Sequence, residues 1–288
     1  MDTASDSISP EQFAAVLGRP DAPLVLDVRR EQRFRESAHI LPGAQRCAPE
    51  EVARLCASGA PRDVVVYCTY GHDVGCEAAQ ALRTAGWNAH SLAGGIEGGE
   101  EGVDPPEAIA AWRANPLPRL RKRADLGVTG ERPSRWITRA RPKIDRIACP
   151  WLVRRFIDPR ASFFYVPAER VLQEAERLLA VAYDLPGAPI GHEGGHCSFD
   201  ALLRAFGLEE PALLALARIV RGADTDRPDL APQCAGLLAV SLGLARLHAD
   251  DHAMLDAALP VYDALYAWCR AAGTQGHGAN AQRAAGAA

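Results

Sequence analysis

Lysine is nearly absent from this 288-residue chain: of its 32 basic residues only Lys122 and Lys143 are lysines. Almost all positive charge is therefore guanidinium, a bias that a GC-rich genome explains and that also suits bidentate grip on tetrahedral oxyanions. An overall positive excess is missing as well. The net charge of -4 argues against a general nucleic-acid binder, and no helix-turn-helix is readable. No apolar run approaches the length of a membrane span. The stretch Met1 to Ser7 has neither the basic start nor the apolar core of a secretory signal. A cytoplasmic protein with no membrane partner is the expectation. The eight cysteines, at 47, 56, 68, 76, 149, 197, 234 and 269, contain no CxxC pair, so neither a disulfide framework nor a zinc ribbon is indicated and free thiols are expected.

What is present is a globular composition, 48% hydrophobic and 24% charged, with room for about two domains. Charge is uneven, because Arg119 to Arg160 holds thirteen Arg or Lys against Asp125, Glu131, Asp145 and Asp158. In the first half, Ser9-Pro10-Glu11-Gln12 has the cap-then-proline order of a helix start, ending near Gly18. Strands are expected at Leu24 to Val28, up to Tyr67, and around Asn88 to Leu92, with a helix between about Pro49 and Ala57. Such alternation argues for an α/β domain with a parallel sheet and flanking helices.

The most telling stretch is Val64-Val65-Val66-Tyr67-Cys68-Thr69-Tyr70-Gly71-His72-Asp73-Val74-Gly75. A β-branched run ends in a cysteine, a glycine turn follows, and a helical pattern opens at Gly75 and runs to Gly86. Cys68 then lies at the carboxyl end of a buried strand, with the amides of Thr69, Tyr70, Gly71, Val74 and Gly75 and a helix N-terminus available to an anion. Such a setting lowers a thiol pKa. Cys76 is either a partner that resolves an oxidised Cys68 or a small core residue.

Four motifs in order carry a resemblance. Leu26-Asp27-Val28-Arg29, Ala38-His39-Ile40-Leu41-Pro42-Gly43-Ala44, the Cys68 loop, and Leu92-Ala93-Gly94-Gly95-Ile96 make residues 8 to 114 similar to a rhodanese-like domain. The resemblance implies a sulfurtransferase fold in which Cys68 carries a persulfide, with Arg29 among the anion contacts. The loop departs from the usual C-x-x-G-x-R followed by a small hydroxyl residue: Asp73 and Val74 take those two places. An acid there repels thiosulfate and opposes ionisation of Cys68, while His72 is positioned to assist proton transfer. Three readings of Cys68 follow: a working sulfurtransferase, a sensor of oxyanion or oxidant, or an inert relic.

Residues 115–134 are rich in breakers and charge, lack a periodic apolar face, and read as an exposed linker. Beyond it strands are expected at Trp136 to Thr138 and Ser162 to Val166, with a helix from Lys143 to Ile157 interrupted at Pro150. Helices then follow over Ala168 to Leu179, Phe199 to Phe206, Pro211 to Arg221, Ala235 to Leu247 and Asp251 to Arg270, the last two apolar enough to form a bundle core. The second domain, 135–271, is thus mostly helical with a small sheet, and the tail over 272–288 reads as disordered.

His192-Glu193-Gly194-Gly195-His196 spells HExxH, but paired glycines argue against the helix that a zinc protease needs. Ser198 reads as the N-cap of the following helix, which leaves His192, Glu193, His196 and Cys197 in a loop at a helix N-terminus. Asp224 and Asp226 end a helix, where the dipole disfavours negative charge, so arginines or a metal must offset them. These six are the candidate metal ligands, for iron, zinc or manganese.

Lys143-Ile144-Asp145-Arg146-Ile147-Ala148-Cys149-Pro150-Trp151-Leu152-Val153-Arg154-Arg155-Phe156, Cys197 to Asp200, Gly222 to Asp226, and Tyr262 to Trp268 make residues 135 to 270 resemble the C-terminal domain of ChrB-type chromate-resistance proteins. The resemblance implies chromate sensing or resistance, with Arg139, Arg141, Lys143, Arg146, Arg154 and Arg155 as candidate anion contacts. The expected substrate is small: a sulfur compound such as thiosulfate, or a chromate-like oxyanion. The leading expectation is a sulfurtransferase using Cys68, His72 and Asp73. The alternative is a non-catalytic sensor of chromate or oxidant that regulates resistance, with a transcriptional role through the Arg-rich segment as its extreme form.

Overall fold

The structure, a computed structural model, describes residues 6–272 in full and the backbone of the last helix as far as Ala285. The tail expected to be disordered lies, beyond Ala272, outside the residues so described. The chain divides into two compact units: residues through Ser134 with Arg154–Arg160, and Arg135–Val153 with the residues from Ala161 onward. No helix among the described residues is long and apolar enough to cross a membrane.

The first unit contains β1 (Ser7–Ile8), α1 (Pro10–Val16), β2 (Leu24–Asp27), α2 (Glu31–Glu36), β3 (His39–Ile40), β4 (Ala44–Arg46), α3 (Val52–Ser58), β5 (Asp63–Tyr67), α4 (Asp73–Thr84), β6 (Asn88–Leu92), α5 (Pro106–Ala114) and β7 (Leu120–Arg121). Ser9 starts α1 with a capping box: its hydroxyl accepts the Gln12 N–H while its own N–H donates to the Gln12 side chain. A five-stranded sheet is ordered β1-β6-β5-β2-β4, and every neighbouring pair is parallel. Strand β5 is central, which is why Val64, Val65 and Val66 are all buried rather than alternating. Ala78, Ala79 and Leu82 of α4 pack on Leu26, Val28, Val64 and Val66 to form its core.

Two expectations change here. Helix α4 opens at Asp73, two residues before Gly75, with His72 as its N-cap; an acid in the first turn complements the helix dipole. The segment 115–134 is not an exposed linker. Its β7 pairs antiparallel with β3, and Leu117, Leu120, Leu126 and Val128 are buried. Apolar residues at irregular spacing fold back as a strap, which a search for periodicity misses.

The second unit contains β8 (Arg135–Arg139), α6 (Asp145–Leu152), β9 (Ser162–Val166), α7 (Val171–Leu178), β10 (Val181–Ala182), α8 (Ser198–Phe206), α9 (Pro211–Asp224), α10 (Cys234–Leu247) and α11 (Asp251–Ala285). Its sheet is ordered β10-β8-β9, all parallel. Pro150 does not interrupt α6. The carbonyl that its missing N–H would have served, that of Arg146, accepts instead from the buried Tyr183 hydroxyl at 3.2 Å. The apolar centre lies on α9 and α11 rather than on α10 and α11. Helix α9 buries eight residues, whereas α10 buries only the stripe Cys234, Leu237, Ser241 and Ala245 and leaves Val240, Leu242 and Leu247 exposed. Trp151 sits among Phe199, Tyr262 and Tyr266, and its indole N–H donates to Asp263 at 2.7 Å.

Candidate functional site

Two clusters of reactive side chains stand out, one in each unit. In the first, β5 delivers Cys68 to the carboxyl edge of the sheet and α4 begins five residues later. Cys68 is buried, and the Gly71 N–H donates to its sulfur at 3.3 Å. A Cβ at Gly75 would lie 3.2 Å from that sulfur, so the bare glycine keeps space open beside the thiol. Backbone hydrogen bonds tie the loop to the next turn: the N–H groups of Ile96 and Glu97 donate to the carbonyls of Cys68 and Thr69 at 3.1 and 2.9 Å. Gly71 and Gly95 both have positive φ, and a Cβ on either would come within 2.6 Å of the other segment's backbone. No side chain other than hydrogen fits between the two turns.

The expected ring of amides is only partly present at the sulfur. Gly71 supplies its N–H, while the Gly75 N–H is spent on the His72 carbonyl. His72 offers the thiol its carbonyl, 3.8 Å from the sulfur. Its imidazole is held elsewhere, by Asp104 at 2.7 Å and Glu100 at 3.5 Å. The Glu100 N–H, followed by His72, holds the Asp104 carboxyl below the usual range. Asp73 is exposed in the first turn of α4. Arg29 is not an anion contact. It is buried and committed to Asp27 at 2.6 Å and to the His39 carbonyl at 2.9 Å, and Asp27 also accepts from Tyr67. Cys76 is exposed rather than a core residue, its thiol 3.6 Å from the Gly71 carbonyl.

In the second unit, three acids from different segments converge on one imidazole. His192 Nε2 lies 3.1 Å from Asp184, 3.2 Å from Asp224 and 3.5 Å from Asp145. Asp145 is fully buried and Asp184 nearly so, while the His192 side chain is 43% exposed and so reachable from solvent. Asp145 is fixed by the Ser198 and Phe199 N–H groups at 2.7 and 2.9 Å, which makes it the anionic cap of α8. Asp184 is fixed by the Ser198 hydroxyl at 3.1 Å and by Arg139 and Arg146 at 2.9 and 3.2 Å. The hydrogen bond toward Asp145 and the charges of the three acids raise the His192 pKa to about 9, against the cost of burial. Burial first, then Asp145 and Asp184, raises that of Asp224 to about 7.

Of the six metal ligands expected from sequence, His192 and Asp224 are in this cluster and four are not. Glu193 is exposed and paired with Arg204 at 2.9 Å. His196 is exposed in the turn that Glu193 and His196 close by mutual backbone hydrogen bonds at 3.1 Å. Cys197, not Ser198, is the N-cap of α8; burial pushes its thiol far above the usual range, and its sulfur turns to Asp200. Asp226 is exposed beyond the end of α9. Asp145 and Asp184 complete the cluster, and neither is among the ligands expected from sequence.

Of the basic residues, Arg139 and Arg146 reach the cluster through Asp184. Arg141, with φ of 60°, closes the end of α10 by donating to the carbonyls of Ala245, His248 and Ala249. Its role is a helix cap. Lys143 is exposed. Arg154 and Arg155 fall in the first unit.

Comparison with known proteins accords with this division. A family model described as the rhodanese-like domain matches residues 9–101, and one described as the ChrB C-terminal domain matches residues 136–269. Protein ChrB of Cupriavidus metallidurans is 36% identical over 150 residues, a match that covers 49% of this chain and 45% of that protein. The match thus spans less than half of that relative's length. Among solved structures, the rhodanese-like domain of an Anabaena sp. protein is 26% identical, covering 41% of this chain and 79% of that one at a TM-score of 0.30. A rhodanese homologue from Thermus thermophilus is 28% identical, covering 31% and 95% at a TM-score of 0.26. The chain thus matches a rhodanese-like domain in its first part and a ChrB C-terminal domain in its second.

Proposed function

We propose that the first unit is a sulfur carrier working in a cytoplasmic protein of chromate resistance, with Cys68 as its nucleophile. The observation that carries this is the Cys68 sulfur at the start of α4 with the Gly71 N–H directed at it from 3.3 Å. Such a donor, with the helix N-terminus, stabilises negative charge on the sulfur. The thiolate attacks the sulfane sulfur of a donor; with thiosulfate, the S–S bond breaks, sulfite leaves with the electron pair, and Cys68 keeps the outer sulfur as a persulfide. A nucleophilic acceptor then removes that sulfur. Asp73 at the loop mouth selects against dianionic donors, so thiosulfate is a slow substrate. The ChrB C-terminal domain is what ties this chemistry to chromate, as the sequence resemblance implies.

The test is intact-protein mass spectrometry after incubation with thiosulfate and with a neutral or monoanionic persulfide donor. A gain of about one sulfur (~32 Da) on wild type, reversed by cyanide and absent in Cys68→Ser, is the expected result. Asp73→Arg should raise the rate of loading from thiosulfate about tenfold, the effect of removing one repulsive charge and adding an attractive one at short range. No adduct with either donor overturns the carrier reading.

A second reading rests on Cys76. Its exposed thiol and the Cys68 sulfur contact the same residue, Gly71, one at the carbonyl and one at the N–H. An oxidant that takes two electrons from this pair would leave a disulfide and mark the first unit as a sensor. Loss of two mass units on peroxide or chromate treatment, absent in Cys76→Ser, is its signature.

A further inference from the structure

The cluster around His192 has no part in the sulfur chemistry, and its composition is unusual for a structural network. Three carboxylates, of which Asp145 is fully buried and Asp184 nearly so, face a single imidazole nitrogen. One ligand-type atom from each of Asp145, Asp184 and His192 lies within 4.8 Å of the others, and Asp224 joins through His192. We propose that Asp145, Asp184, Asp224 and His192 hold a first-row divalent cation, of which Mn2+ is the probe of choice.

The donor set specifies the class. Three hard oxygen donors with one imidazole suit Mn2+, Fe2+ or Zn2+ and do not suit soft ions. Of the two nearby sulfurs, that of Cys197 turns to Asp200, and that of Cys149 is 3.6 Å from Asp145 Oδ1 as a hydrogen-bond donor. The outer contacts are those that orient ligands. Backbone N–H groups of α8 hold Asp145, and the Ser198 hydroxyl with two arginines holds Asp184; the oxygens that face His192, Asp145 Oδ2 and Asp184 Oδ1, each accept only one of these bonds and keep a lone pair for the cation. There is also an entry path. Asp184, His192 and Arg139 line a cavity of about 640 Å³, so the cation reaches its ligands, and the coordination positions they leave open, from solvent. Asp224 ends α9, where the helix dipole adds to the negative charge. A bound cation would offset the charge of the three converging carboxylates.

The experiment uses the full chain, stripped with chelator and titrated with Mn2+, with the six-line resonance of free Mn2+ and elemental analysis after gel filtration as readouts. One Mn2+ per chain is expected. His192→Gln, which changes a partly exposed side chain and leaves the buried caps intact, should weaken binding at least tenfold. Asp184→Asn should do the same, whereas Glu193→Gln and His196→Gln should keep one Mn2+ per chain at wild-type affinity. Circular dichroism verifies that each variant is folded. Folded wild type that retains neither Mn2+ nor, in parallel titrations, Fe2+ or Zn2+ overturns the proposal. Retention unaffected by both His192→Gln and Asp184→Asn, or lost with Glu193→Gln, overturns it equally.

Discussion

The two clusters are built in opposite ways. Around Cys68 the positioning is done by backbone: one strand end, one helix start, and two glycine turns that meet without side chains between them. Around His192 it is done by charge: three carboxylates from three segments, held by donors from other elements. A site of the first kind is sensitive to added volume and tolerant of changes in charge at its rim. A site of the second kind tolerates little change of charge, because each buried carboxylate serves the fold as well as the cluster.

The largest expected effect is therefore Asp145→Ala. It leaves the Ser198 and Phe199 N–H groups unpaired in a buried place, at roughly 1–3 kcal/mol each, and should lower the denaturation midpoint of the second unit more than any other single change named here. An equally stable variant would mean that water or another acceptor takes over, and the contrast between the two sites would collapse. Next comes Gly95→Ala. Its Cβ would lie 2.6 Å from the Cys68 and Thr69 carbonyls, and the left-handed backbone alone adds about 1–3 kcal/mol. Sulfur loading of Cys68 should be lost while Mn2+ binding persists, which separates the two sites in one variant.

The smallest effect tests whether the first unit also hides a costly charge. Lys122 lies over the Phe34 ring at 3.5 Å, and burial, reinforced by Arg29, lowers its pKa from the ordinary 10.5 to about 8. The folded state thus binds fewer protons than the unfolded one between these values, so stability should rise from about pH 8 to about pH 10.5 and be flat with respect to this group below pH 8. Lys122→Met should abolish that rise, as followed by urea denaturation at pH 7.5 and pH 10.

The same contrast decides what is legible in the sequence. The Cys68 loop is contiguous, so a strand, a cysteine and a glycine turn in one run of twelve residues predict both its fold and its place at the sheet edge. The cluster in the second unit is drawn from residues 145, 184, 192 and 224, and no local pattern joins them. His192 and Asp224 are recognisable as a histidine beside a helix start and an acid at a helix end. Asp145 reads as one acid among arginines, and Asp184 as a loop residue. The strap over 115–134 escapes for a related reason, since Leu117, Leu120, Leu126 and Val128 are buried without helical or strand spacing.

Ile144, the residue before Asp145, has φ of 38°, a conformation that a β-branched side chain resists at roughly 1–3 kcal/mol. What keeps it there is a clasp from the far end of the chain: the Ser241 hydroxyl accepts its N–H at 3.0 Å and the Tyr262 hydroxyl donates to its carbonyl at 2.7 Å. A fragment ending before α10 lacks that clasp, and only the Ser198 and Phe199 N–H groups would then hold Asp145 in place. The acidic cluster should therefore depend on α10 and α11 as well as on the segments that carry its residues.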